Sequence, residues 1–258
     1  MTNELKITVI FLFFIIMLYY VYVKNKIFYV NSKSCFKLTN LNNKKIIIGT
    51  IETRKLKLLD IHNKNVSDYA KKYNYKYIFT DNYKNNLELP VYWKKIQFIL
   101  EILQNEDCDY VLWLDSDAFI TDDTIPLESL IELSPNSSIF IGKDLTFNIF
   151  PPYCAGVFMI KNDEFGKNFL SDCIDVYINS DCKDGNKYSL KGAWAGECYE
   201  QGVMNKLINT KYKKYVFEIP QSFVLNTGTI SNNTVISHIF GNKNDAYRKI
   251  VTFLKNKK

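Results

Sequence analysis

Residues Tyr110 to Ile120 read YVLWLDSDAFI, five apolar residues that end in Asp115-Ser116-Asp117 before apolar residues resume at once. Two aspartates two positions apart in extended chain point their carboxylates the same way. Two anions so placed repel unless a cation lies between them. Hard oxygen ligands of this kind suit Mg2+ or Mn2+, with phosphate oxygens completing the shell. A turn with two solvated aspartates would show the same pair. A Trp-bearing apolar run just before it and Ala118-Phe119 just after it are not loop composition, which favours the metal.

The second chemical element is His238-Ile239-Phe240-Gly241-Asn242-Lys243. A lone histidine is most often a hydrogen-bonded core residue. Here Gly241 permits close backbone approach and the ammonium of Lys243 can reach a phosphate. Imidazole, glycine and ammonium together would cover a metal-bound diphosphate.

These groups need a scaffold, and the hydrophobic pattern supplies one. KIIIGT (Lys45 to Thr50) is short, β-branched and closed by glycine, as expected of a buried strand. Ile61, Val66, Tyr69, Ala70 and Tyr73 roughly fit an amphipathic helix, and Tyr75 to Thr80 a second strand. Trp93, Ile96, Ile99, Leu100 and Leu103 predict a helix over 91–105, followed by a strand at Tyr110 to Leu114. This βαβαβ alternation implies a parallel sheet covered by helices. Asp115 and Asp117 then fall at the carboxyl end of a strand, where ligands bind in open α/β sheets. Strands are expected at Ser138 to Gly142, Gly156 to Lys161 and Thr234 to Ile239. Helices are expected near 163–179 and 198–209, with a basic tail at the end of the chain.

The chain has 258 residues and a net charge of +6. Residues 44–258 suit one α/β domain. The lysines are scattered rather than gathered on one face, so the charge pattern is not that of a nucleic-acid binder. Ile7 to Val23 carries no charge, at the short end of what spans a bilayer. It predicts an uncleaved signal-anchor at 7–23, after a tail at 1–6 and before a polar stem at 24–43. Lys6 lies before this segment and Lys24 and Lys26 after it, so charge alone does not orient it. Six cysteines permit disulfides, without a zinc-type C-x-x-C. Sequons occur at Asn65, Asn136 and Asn232, as chance allows in an Asn-rich chain.

In order and spacing, several landmarks resemble one family. They are Asn63-Lys64, Tyr69-Ala70, Tyr75, Trp93-x-Lys95, WLDSDA, Ala155-Gly156-Val157-Phe158, Glu200-Gln201 and HxxGxK. Over roughly residues 45 to 245 the chain resembles the galactosyl- and xylosyltransferases that include yeast galactomannan galactosyltransferases, mannan polymerase subunits and plant xyloglucan xylosyltransferases. That resemblance implies a GT-A fold on a type II anchor in the Golgi or ER lumen, or an equivalent host or viral membrane. It also implies Mn2+ (or Mg2+), a nucleotide-sugar donor with a UDP-sugar favoured, a glycan or glycoconjugate acceptor, and retention of anomeric configuration. Galactose or xylose is the favoured sugar. Asp115, Asp117 and His238 would hold the metal. Thr50, Lys95, Asp115, Ser116, Gly241 and Lys243 would face the nucleotide and diphosphate, and Glu200 and Gln201 the sugar and acceptor. Cys154 and Tyr199 depart from the family pattern, which usually has a small polar residue at the first position and often an acid at the second. A glycogenin-like transferase and a catalytically silent membrane subunit, alone or in an oligomer, are the alternatives.

Overall fold

The structure, a computed structural model, describes residues 44–84, 87–145, 152–185 and 187–256. The expected anchor and stem lie outside these residues. Among the described residues, no helix is long and apolar enough to cross a membrane.

A six-stranded sheet carries the fold. Its strands are β1 (Ile46–Ile51), β2 (Lys76–Thr80), β3 (Tyr110–Leu114), β5 (Ile139–Lys143), β6 (Tyr153–Lys161) and β9 (Val216–Ile219). Their order is β2-β1-β3-β6-β5-β9, parallel except for β6, which runs against both neighbours. β3 is apolar throughout and β1 is apolar but for Thr50, and both are almost fully buried, the composition of strands covered on both faces. Helix α1 (Leu59–Tyr73) links β1 to β2, and α2 (Lys94–Asn105) links β2 to β3. α2 buries Ile96, Ile99, Ile102 and Leu103, the stripe that its sequence period predicts. Pro90 precedes a 3-10 turn at Val91–Trp93, so the expected helix over 91–105 starts tightly wound before becoming α-helical. α3 (Glu128–Leu133) precedes β5, α4 (Glu164–Ile178) follows β6, and α5 (Glu200–Asn209) precedes β9.

The short strands β4 (Ala118–Ile120), β10 (Val224–Asn226) and β11 (Ile236–His238) form a separate sheet in the order β10-β11-β4. A two-stranded ribbon, β7 (Lys183–Asp184) with β8 (Lys187–Tyr188), completes the strands among the described residues. The expected basic tail is instead helix α6 (Lys243–Asn256). Its Ala246 and Ile250 pack with Leu58, Phe119 and Ile239, an apolar face that the lysine content hides.

Asn65 is not a free glycan acceptor. Its side-chain amide donates to the Ile120 carbonyl at 2.9 Å and its oxygen accepts from the Ile120 N–H at 2.7 Å, tying α1 to β4.

Candidate active site

The order β2-β1-β3 reverses direction at β1, so the chains leaving β1 and β3 diverge and open a crevice at their carboxyl ends. A cleft of about 760 Å³ lies there, and its walls include Glu52, Arg54, Asp115, Asp117, His238 and Lys243. That volume falls within the ordinary range of ligand sites.

Asp115 to Asp117 is not the extended chain that the sequence suggested. The Ala118 N–H donates to the Asp115 carbonyl at 2.8 Å, closing a tight turn between β3 and β4. The carboxylates converge all the same. β4 pairs antiparallel with β11, placing Ala118 opposite His238. One ligand atom each from Asp115, Asp117 and His238 then lies within 4.8 Å of the others.

Asp117 is only 1% exposed. One oxygen, Oδ2, pairs with Lys243. The other, Oδ1, is buried without a hydrogen-bond partner and lies 3.6 Å from His238 Nε2. Burial would raise the Asp117 pKa, but His238 and Lys243 outweigh it and hold the carboxyl well below the usual range. His238 Nδ1 lies 3.1 Å from Asn226 Oδ1 and 3.5 Å from Cys154 Sγ. Donating from Nδ1 to Asn226 turns the Nε2 lone pair of the neutral ring toward Asp117. With no cation bound, burial opposes the imidazolium, while Cys154 and Asp117 push its pKa up to about 10. Gly156 makes room for this ring: a Cβ there would sit 1.9 Å from His238 Cε1.

Asp115 Oδ1 accepts from Trp113 Nε1 at 2.7 Å and from Lys95 Nζ at 2.9 Å. Lys95 is no surface lysine of an amphipathic helix. It is buried, also donates to the Ala155 carbonyl at 3.0 Å, and lies 3.3 Å from Glu200. Burial disfavours its charge, yet Asp115 and Glu200 together raise its pKa above the ordinary lysine value. Glu200 opens α5 with its side chain buried and Oε2 without a hydrogen-bond partner. Its pKa is raised by burial and by Asp115, against the pull of Lys95. Gln201 Oε1 accepts from the Ala155 N–H at 3.0 Å. Gly241 borders the cleft at φ 109°, a backbone angle that favours glycine.

Thr50 does not join this group. It is fully buried, donates to the Leu114 carbonyl at 2.9 Å and contacts His62 Nε2 at 3.2 Å, so its side chain ties β1 to β3 rather than facing the cleft.

Sequence reasoning missed Glu52 and Arg54. Glu52 takes two side-chain hydrogen bonds from Arg54 and one from Ser116 at 2.7 Å. Their position just past β1, at the same strand-end level as Asp115, was the available signal.

Two carboxylates and an imidazole, with one buried oxygen left without a hydrogen-bond partner among the described residues, match the donor chemistry of a site for a divalent cation. Lys243 adds positive charge at the same edge of the cleft.

Residues 38–141 match the galactosyl transferase GMA12/MNN10 family. No curated protein sequence matches the chain. Among solved structures, it is similar to a glycosyltransferase involved in the glycosylation of the major capsid of PBCV-1. That similarity has a TM-score of 0.59 at 13% identity and covers 79% of this chain and 98% of the other. It is also similar to the apo-form glycosyltransferase GlyE of Streptococcus pneumoniae TIGR4. There the TM-score is 0.52 at 13% identity, covering 83% of this chain and 62% of that one. At such identities these structures establish a shared fold, a mixed α/β architecture with a largely parallel central sheet.

Proposed function

Because the chain is a glycosyltransferase whose residues 38–141 match the galactosyl transferase GMA12/MNN10 family, we propose that its cleft binds a nucleotide-sugar with a divalent cation and transfers the sugar with retention. The acceptor is a glycan or glycoconjugate. The donor is a UDP-sugar, with galactose or xylose as the transferred hexose or pentose, on a GT-A scaffold. One observation carries this proposal: Asp115, Asp117 and His238 converge beside Lys243, and Asp117 Oδ1 has no hydrogen-bond partner among the described residues.

Asp115, Asp117 and His238 would hold Mn2+ or Mg2+. When bound, the cation supplies electrostatic stabilisation of charge on the leaving diphosphate. Lys243 adds a cationic contact to the same diphosphate. Gln201 is held by the Ala155 N–H, which leaves Glu200 as the acidic group at that edge. Paired with Lys95 through one oxygen, Glu200 keeps the other to stabilise positive charge on the sugar. We assign same-face attack: the acceptor hydroxyl oxygen bonds to the anomeric carbon as the bond to the diphosphate breaks. Its proton passes to the departing phosphate oxygen.

We place the enzyme as a single-pass type II membrane protein with the cleft in the Golgi or ER lumen, anchored by residues 7–23. The disulfide between Cys182 and Cys198 supports an oxidising compartment. The test is calorimetry of UDP and GDP on the full chain in detergent, with and without Mn2+, alongside Asp117→Ala. Mn2+-dependent UDP binding that disappears in the variant is the expected result. GDP preference would move the donor to another nucleotide-sugar class. Folded protein that binds neither nucleotide would make the chain a silent scaffold.

A further inference from the structure

Three tryptophans occur in the chain, and two of them are buried: Trp93 is 0% and Trp113 2% exposed. Trp194 is 58% exposed, an unusual setting for so large an apolar ring, and it lines the cleft. Its ring centroid lies 5.1 Å from that of Tyr92 and 5.1 Å from that of Tyr199, while Tyr92 and Tyr199 are 5.9 Å apart. All three are edge-on or tilted contacts, so Tyr92 and Tyr199 buttress Trp194 without stacking over its faces.

The loop that presents this ring is held from several sides. The disulfide between Cys182 and Cys198 closes it at its base. Trp93 Nε1 donates to the Cys198 carbonyl at 3.1 Å, pinning the loop to the start of α2. Ala195, next to Trp194, adopts φ 57°, a left-handed conformation that costs a non-glycine residue energy. Gly202 on α5 leaves room for the loop, since a Cβ there would lie 2.1 Å from the Gly196 carbonyl oxygen. Such strain persists only where the surroundings over-determine it, and the exposed indole it presents lines the same cleft as Glu200.

We propose that Trp194, braced by Tyr92 and Tyr199, is the platform on which a pyranose ring of the acceptor stacks its C–H face. This rests on the transferase function proposed above and names the acceptor's place in it. The donor's charged end is matched by Asp115, Asp117, His238 and Lys243, carried by the β3–β4 turn, β11 and α6. The aromatic cluster comes from other elements, the start of α2 and the loop before α5, and it adjoins Glu200. An amphipathic aromatic surface with few rotatable bonds suits a neutral ring whose hydroxyls stay in water while its C–H face is buried.

Trp194 supplies its own reporter, because an exposed indole emits to the red of the two buried ones. The full chain in detergent, loaded with UDP and Mn2+, is titrated with malto-, cello-, manno- and galacto-oligosaccharides while emission is followed. Wild type, Trp194→Ala and Trp194→Phe are compared by calorimetry with the same sugars. The expected result is a blue shift with at least one sugar series in wild type. Affinity for that sugar should fall about tenfold in Trp194→Ala and less in Trp194→Phe, with UDP binding unchanged in both. No blue shift with any series would overturn the proposal, as would equal sugar affinity in Trp194→Ala. A loss of UDP affinity in Trp194→Ala would overturn it too, by making the ring a nucleobase platform. If wild type fails to bind UDP, the transferase function falls, and that result is read separately from the sugar titration.

Discussion

Adding one methyl group at Gly156 should disable nucleotide binding without replacing a ligand residue. The Cβ of Gly156→Ala would lie 1.9 Å from His238 Cε1 and 2.6 Å from both ring nitrogens. Carbon atoms meet at about 3.5–4.0 Å, so the ring must withdraw by roughly 1.6 Å or more. Metal–ligand distances tolerate shifts of only about 0.2 Å, so the imidazole leaves the ligand set. Loss of a partner that merely orients a ligand costs about 10–100-fold in metal affinity. Displacing the ligand itself should therefore weaken Mn2+-dependent UDP binding by about 100-fold or more. Overpacking costs about 1–3 kcal/mol of stability, a fall in Tm of a few degrees, so the variant should still fold. Gly142→Ala is the graded control. Its Cβ would lie 2.9 Å from Asn226 Nδ2, at the far end of a side chain that can give, and its effect should be milder. The assay is calorimetry of UDP with Mn2+ on wild type, Gly156→Ala, His238→Ala and the double variant. Because both single changes remove one ligand, the double variant should be no worse than His238→Ala. Gly156→Ala binding within about threefold of wild type, while His238→Ala loses binding, would refute the argument.

Lys95→Met should lower Tm by about 10 °C or more, since breaking a buried ion pair costs about 3–5 kcal/mol. Glu200→Gln in the same chain should restore part of the loss, and a scan within about 2 °C of wild type would show that Asp115 and Glu200 do not need the ammonium. Reducing the disulfide between Cys182 and Cys198, 16 residues apart, should cost about 3 kcal/mol. Denaturant unfolding with and without a reductant measures this, and coincident curves would count against it. Burial pushes the pKa of His62 down to about 4 from an unfolded value near 6.5, against a hydrogen bond to Ala118 that opposes the shift. Its contribution of about 3 kcal/mol is complete above pH 6.5 and lost as pH falls through 4. Long-range nitrogen–proton NMR of the two imidazoles should show His62 neutral at pH 5.5, and titration near 6.5 would contradict it.

The parallel core was legible because its signals are local. β3 runs from Tyr110 to Leu114 as the apolar run predicts, and α1 and α2 follow their apolar period. Asp115 and Asp117 could be placed at a strand end from sequence order alone. The turn between them could not, because it depends on where β4 goes. β4 spans three residues and pairs with β11, far along the chain, so no window of sequence registers it, whereas β11 falls within the strand expected at Thr234 to Ile239. α6 was hidden because Lys243 and Lys249 flank the apolar stripe of Ala246 and Ile250 and reach inward to Asp117 and the Gly228 carbonyl. The burial of Lys95 and its ion pairs were illegible for a related reason. Its charge is sustained by Asp115 and by Glu200, both remote from it in sequence, and only the folded sheet brings them together.

The pairing of Ala118 with His238 has a consequence for biosynthesis. Lys243, which pairs with Asp117, lies 126 residues further along the chain. A ribosome-bound chain that has exposed Asp115 and Asp117 therefore has Lys95 ready for Asp115 but neither His238 nor Lys243 for Asp117. β4 has no strand to pair with until β11 has emerged, so the small sheet and the cation site form late and together. Prematurely terminated chains lacking β11 would retain the central parallel strands yet be unable to assemble the site, which ties catalytic competence to synthesis through β11 and Lys243.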